Sequence, residues 1–187
     1  MPGSGGFAID RPLCWGRSVS HLFRSQVVLI CKDLKIEPDY LMALMAYYTG
    51  GSFRANIRNT AGLPAVGLLQ WMPDTCMALG KQSEDMALLH AAQQLEYVHK
   101  YFSPLAGQLK TLDDLYMARI WPRAIGAKPD HLLFNKFDVS TRRYVLCLGL
   151  TYNEAGYISK KEACIPIWAR YDEGMSLQHK YEPGDKR

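Results

Sequence analysis

The chain has 187 residues, 48% hydrophobic and 21% charged, enough to bury one sizeable core, so a single domain is expected. Its excess of 22 Lys and Arg over 18 Asp and Glu is dispersed along the chain, which argues against a concentrated nucleic-acid surface. No window approaches the roughly eighteen uninterrupted apolar residues of a membrane span, so a soluble protein is expected.

Residues 1–17, rich in Gly and Pro, predict a flexible N-terminal arm, with the folded domain occupying 18–187. The arm shows no basic segment followed by an apolar one, so no Sec export signal is expected and the chain is placed in the cytoplasm when made. From Ser18 to Lys35, apolar Leu22, Val27, Ile30, Cys31 and Leu34 recur at helical intervals behind a Ser suited to capping. The stretch PDYLMALMAYYTGG then predicts a second helix: Pro38 fits its first position, Asp39 suits the positive dipole end, and Gly50-Gly51 stops it. Being almost entirely apolar, it is the expected buried axis.

Residues 52–66 lack periodicity and collect Asn, Gly and Pro, which predicts a loop or small hairpin region. Helix is expected to resume around Pro73 and to end near Gly80. Leu88, Ala92, Leu95, Val98 and Phe102 then line one side of a single amphipathic helix. Thr111 is placed to cap a helix that ends before Pro122. The segment STRRYVLCLGL reads as helix or strand, and SKKEACIPIWARY as helical at its start. The class is mainly α. The five cysteines are odd in number, widely spaced and set in apolar context, which predicts buried free thiols. The histidines show no metal spacing, and His90 and His99 read as surface or boundary residues on their helix.

Chemistry concentrates between the buried helix and Gly80. The segment YTGGSFRANIRNTAGLPAVGLLQWMPDTCMALG resembles lysozyme-like, soluble-lytic-transglycosylase-type peptidoglycan glycosidases, whose core runs E-S/T-x-x-x-F-x-x-x-x-x-N-x-x-G-A-x-G-L-x-Q-x-M-P-x-T-A. LEYVHKYFSPLAGQLKTLDDLYMARIWPRAIGAKPDHLLF resembles the downstream part of a phage-endolysin and toxin-associated branch. The resemblance covers 38–134 and implies a lysozyme-like single domain with a buried central helix.

In such proteins a Glu at the end of the buried helix is the catalytic acid, its pKa raised by apolar packing. The matching position here is Tyr48, and no carboxylate occurs between Asp39 and Asp74. A phenol with a reference pKa near 10, against about 4.3 for Glu, is a far weaker proton donor at neutral pH. Glu37, before the helix, and Glu84, after the Gly80 break, could approach Tyr48 only through tertiary folding. Tyr47 reads as core packing. Tyr48 reads either as a catalytic-position remnant or as a buried aromatic with its hydroxyl at a cleft rim.

The resemblance also places Ser52, Asn59, Gln70 and Tyr116 along or beside a saccharide cleft. For Gln70 alone, a solvated residue at a helix start is the plainer reading. Trp71 or Trp121 could stack on a sugar, with core packing favoured for Trp121. Residues 151–162, TYNEAGYISKKE, match the length and Gly-Ile-Glu framework of an EF-hand loop, but Thr151 and Ala155 replace ligands that calcium needs, and a folded relic is expected. No metal or other cofactor is expected.

The leading expectation is a degenerate, non-hydrolytic or weakly active glycosidase homologue, monomeric, binding peptidoglycan glycan or a protein partner. A phage or specialised secretion route would deliver it to the periplasm or cell wall. The alternatives are an active muramidase or lytic transglycosylase with an engineered or altered catalytic position, and a structural adaptor of a phage or secretion machine.

Overall fold

The computed structural model describes residues 11–185. The chain is mainly helical. In order it forms α1 His21–Leu34, α2 Pro38–Thr49, α3 Pro73–Ala78, α4 Ser83–Leu88, α5 Ala91–Phe102, α6 Leu112–Ile120, β1 Leu132–Asn135, α7 Val139–Cys147, β2 Tyr157–Ser159 and α8 Lys160–Gly174. Among the described residues no helix is long and apolar enough to cross a membrane.

Helix α2 is the axis. Leu41 to Ala46 are all wholly buried, and α1, α6 and α8 pack around them. Pro38 opens α2, and left-handed Gly50, with φ of 60°, closes it. Helix α1 starts where the Ser20 hydroxyl accepts from the Phe23 N–H at 3.2 Å. Its buried face is Phe23, Val27, Cys31 and Leu34, whereas Leu22, expected inside, is 59% exposed. The i, i+4 spacing of Phe23 and Val27 sets that face and turns Leu22 outward.

The expected arm at 1–17 divides. Residues 1–10 lie outside the described residues. Residues 11–17 are no arm: Leu13, Cys14 and Trp15 are buried in the core. Leu13 and Tyr181 exchange backbone hydrogen bonds at 3.0 and 2.9 Å. The Cys14 N–H donates to Asp39 at 2.7 Å, and the Trp15 indole N–H donates to the Arg170 carbonyl at 2.9 Å. Large apolar side chains outweigh the loop-like composition around them.

The single helix expected across 84–102 is two. The chain breaks at Leu89 and His90, where the Gln93 side chain accepts from the His90 N–H at 2.8 Å and starts α5 as a capping box. Leu88 is consequently exposed rather than part of the core. Thr111 caps α6, its hydroxyl accepting from the Asp114 N–H at 3.1 Å. Residues 139–147 are helix, and α8 runs through Pro166 to Gly174.

The one two-stranded sheet among the described residues pairs β1 with β2 antiparallel, Phe134 opposite Ile158. It falls outside the predicted hairpin region, which holds only isolated bridges, Arg58 with Val66 and Val66 with Trp71. The cysteines are unpaired thiols, buried except for half-buried Cys147.

Candidate functional site

The C-terminal end of α2 opens into a groove of about 910 Å³. Helix α2 contributes Tyr47, Tyr48 and Thr49, and α6 contributes Tyr116, Arg119 and Ile120. The loop at 57–72 supplies Ile57, Arg58, Asn59, Leu63, Gln70 and Met72. Helix α7 supplies Ser140, Arg143, Tyr144 and Cys147, and Leu148 follows at its end.

The α2 end is fixed from within. The Thr49 hydroxyl donates to the Met45 carbonyl at 2.7 Å and accepts from the Phe53 N–H at 3.1 Å, so the chain folds back over its own last turn. The loop is held from below by Gln94, which is wholly buried. Its Oε1 accepts from the Leu68 N–H at 2.9 Å, and its Nε2 donates to the Ala55 and Met86 carbonyls at 2.8 and 2.7 Å. Gly67, at φ of 82°, passes directly over that amide.

The phenols form a connected wall. Tyr47 packs edge-on to Tyr48 with ring centroids 5.2 Å apart and to Tyr116 at 5.4 Å. The hydroxyls of Tyr47 and Tyr116 are 3.4 Å apart. Tyr144 donates to the Ile120 carbonyl at 2.5 Å. Arg119 sits over the rings of Tyr101, Trp71 and Tyr48 at 4.9, 5.3 and 5.7 Å. Its guanidinium also donates to the Leu69 carbonyl at 2.9 Å.

Burial pushes the Tyr48 phenol well above its ordinary value; the Arg119 charge pulls it back only partly, and neighbouring phenols push it further up. Tyr116 is raised too, by burial and then by Tyr48 and Tyr47. Among the described residues no Asp, Glu or His lines the groove, whereas three arginines do. Arg58 is ion-paired to Glu84 at 2.6 Å, and Arg119 is engaged as described. Glu37 pairs with Arg11 at 2.6 Å, at the opposite end of α2.

The structure brings Tyr48, Asn59, Gln70 and Tyr116 to one groove and leaves Ser52 outside its lining. The Ser52 hydroxyl donates to the Thr49 carbonyl at 2.7 Å and finishes the helix end. Asn59 spends its Oδ1 on the N–H groups of Ala61 and Leu63, at 2.8 and 3.2 Å, shaping the loop. Gln70 is not a solvated helix-start residue: it is buried in a left-handed turn, φ 50°, and donates to Ile57 and Gly67 carbonyls at 3.2 and 3.3 Å.

Trp71 is wholly buried and absent from the groove lining, so it offers no sugar platform there. Trp121 packs on Phe134 at 5.0 Å instead. Tyr47 is more than core packing, since it lines the groove. Sequence reasoning also missed Arg58, Arg119, Arg143 and Tyr144. The available signal was Arg119 three residues after Tyr116 on one helix.

In the loop at 151–162, Gly156 turns with φ of 84° and Ile158 is buried. Glu162 accepts from the Asn153 amide at 2.9 Å and from the Ser159 N–H and hydroxyl at 2.8 and 2.7 Å, while Asn153 Oδ1 accepts from the Tyr157 N–H at 3.0 Å. Those oxygens are committed to internal donors, so this donor set does not fit calcium. Among the described residues no cluster of three His, Cys, Asp or Glu side chains is placed to hold a metal.

No known protein family matches the chain, and no curated protein matches it.

Proposed function

We propose that this chain is a lysozyme-like protein derived from a peptidoglycan glycosidase, which binds glycan in the groove at the end of α2 without cleaving it. The observation that carries the reading is Tyr48 in the wall of a groove with no carboxylate among the described residues of its lining. Glycoside cleavage calls for a proton donor on the leaving oxygen and a second group to meet the developing cation. A phenol held above its ordinary pKa supplies neither at neutral pH, and the nearby arginines oppose positive charge. The tyrosine wall still suits a sugar face, with the Gln70 amide oxygen beside it to accept from a hydroxyl.

The test is turbidity clearing of purified peptidoglycan, with sedimentation binding to the same insoluble material, for the unaltered protein and for Tyr48→Glu. The reading expects binding without clearing by the first, and measurable clearing by the second. Clearing by the unaltered protein would instead favour an active muramidase with an altered mechanism. Absence of glycan binding by both would favour an adaptor role and sink the proposal.

A further inference from the structure

Helix α7 is unlike the other long helices in burying a single residue, Val145. A separate, exposed stripe carries Val139, Arg142 and Leu146, at i, i+3 and i+7, with exposed Arg143, which also borders the groove, at its edge. Val139 is 71% exposed and Leu146 75%. In the turn before the helix, Phe137 is 69% exposed, and the Lys136 ammonium lies 5.1 Å from its ring centre. Arg142 Nε donates to the Lys136 carbonyl at 2.9 Å, tying that turn to the stripe. The only acid within 132–149 is Asp138, and its carboxylate accepts from the Ser140 N–H and hydroxyl at 3.0 and 2.6 Å.

Three largely exposed apolar side chains thus stand among three cations, and the one acid in the same stretch of sequence is already engaged at a helix cap. We propose that this stripe docks the protein onto an anionic lipid bilayer. The chemistry favours lipid over a protein partner. Protein interface cores are depleted in Lys, and burying Lys136 beside Phe137 would strip its hydration. At a bilayer surface the long cationic side chains stay among anionic headgroups while Phe137, Val139 and Leu146 enter the acyl boundary. The inference rests on α7 and does not depend on what the groove binds. It has a consequence for the groove, because the inner face of the same helix forms one of its walls, so docking would hold the groove close to the lipid surface.

Co-sedimentation with phosphatidylglycerol-containing vesicles and with pure phosphatidylcholine vesicles tests this, with light scattering for oligomeric state. Binding to the anionic vesicles is expected, weakening with added salt, and little binding to the neutral ones. Lys136→Gln with Arg142→Gln, neither in the groove lining, should lower the partition coefficient by about fivefold per charge. Phe137→Ser with Leu146→Ser should abolish what remains, with an unchanged circular dichroism spectrum. Equal binding to both vesicles, no binding to either, or full binding by both variants would overturn the proposal. So would a dimer dissolved by the two serine substitutions, which would assign the stripe to a second copy of the chain.

Discussion

The Lys160 ammonium donates to the Asp114 carboxylate across 2.8 Å, with both side chains almost wholly buried. Lys160 opens α8, and Asp114 lies in the first turn of α6, so the pair fastens the starts of two helices that pack on the axis. The same carboxylate accepts from the Gly126 N–H at 2.8 Å, and Lys160 donates again to the Ala127 carbonyl at 3.0 Å. The segment between α6 and β1 is thereby pinned to both.

Removing one partner leaves a buried charge, so Lys160→Met should destabilise the fold by about 3–5 kcal/mol, and Lys160→Met with Asp114→Leu by much less. Urea denaturation at neutral pH measures both. Burial alone would push the Asp114 carboxyl up, but Lys160, the Gly126 N–H and Thr111 outweigh it and hold it below its ordinary value. A depressed carboxyl stabilises fully above its unfolded pKa of about 3.9, and that contribution is lost as pH falls through the lower folded value. Asp114→Asn should remove this part of the acid sensitivity. An unaltered acid slope would count against it.

Gln94 is the second point of leverage, since its amide holds the Leu68 N–H and the Ala55 and Met86 carbonyls under the groove loop. Gln94→Leu orphans the Leu68 N–H and the Ala55 carbonyl, leaves the Met86 carbonyl only its bond from the Leu89 N–H, and should cost about 3 kcal/mol, a midpoint roughly 6–12 °C lower. A Cβ on Gly67 would lie 2.5 Å from Gln94 Oε1 and 2.8 Å from Nε2, at a φ that only glycine adopts freely. Gly67→Ala should therefore destabilise and, by shifting Gln70, weaken the proposed glycan binding. A thermal melt within 2 °C of the parent for Gln94→Leu, as an approximate threshold, would refute this role.

What was legible in the sequence was what periodicity and caps encode. Pro38, Gly50 and the unbroken apolar run between them marked α2, and Thr111 marked α6. The break at His90 was hidden because Leu88, Ala92 and Leu95 keep helical spacing across it; a side-chain cap from Gln93 overrides that pattern. The β1 strand is four residues, too short for alternation to register, and its partner lies inside the EF-hand-like loop. The groove was half legible. Tyr48, Asn59, Gln70 and Tyr116 came from one ordered pattern, whereas α7 joins them only through tertiary packing, which no local signal for Arg143 or Tyr144 encodes.

Gly174 tests whether the N-terminal segment belongs to the core. A Cβ there would press into the Trp15 indole and the Cys14 sulfur, and Trp15 donates its backbone N–H to the Gly174 carbonyl at 3.0 Å. Gly174→Ala should cost about 1–3 kcal/mol by overpacking, although alanine ordinarily favours a helix end over glycine. The readout is a denaturant midpoint together with Trp15 fluorescence. A stabilised variant would mean that residues 11–17 pack loosely.

Tyr48 offers the most direct electrostatic test, because its phenol is held in the neutral form by burial, against the pull of Arg119. A phenol with a raised folded pKa contributes stability that is complete below its unfolded value of about 10 and disappears as pH rises through the folded value. Alkaline titration followed by phenolate absorbance should show late-titrating tyrosines, and Tyr48→Phe should remove one of them while extending the alkaline limit of stability. In Tyr48→Glu the same burial acts on a carboxyl and raises it above the ordinary value of about 4.3, with Arg119 again opposing. That variant should gain stability as pH falls through its folded pKa, the reverse of the Asp114 trend. If the carboxyl instead titrated at an ordinary value, the site would be too wet to make a general acid, and restored clearing of peptidoglycan would not be expected.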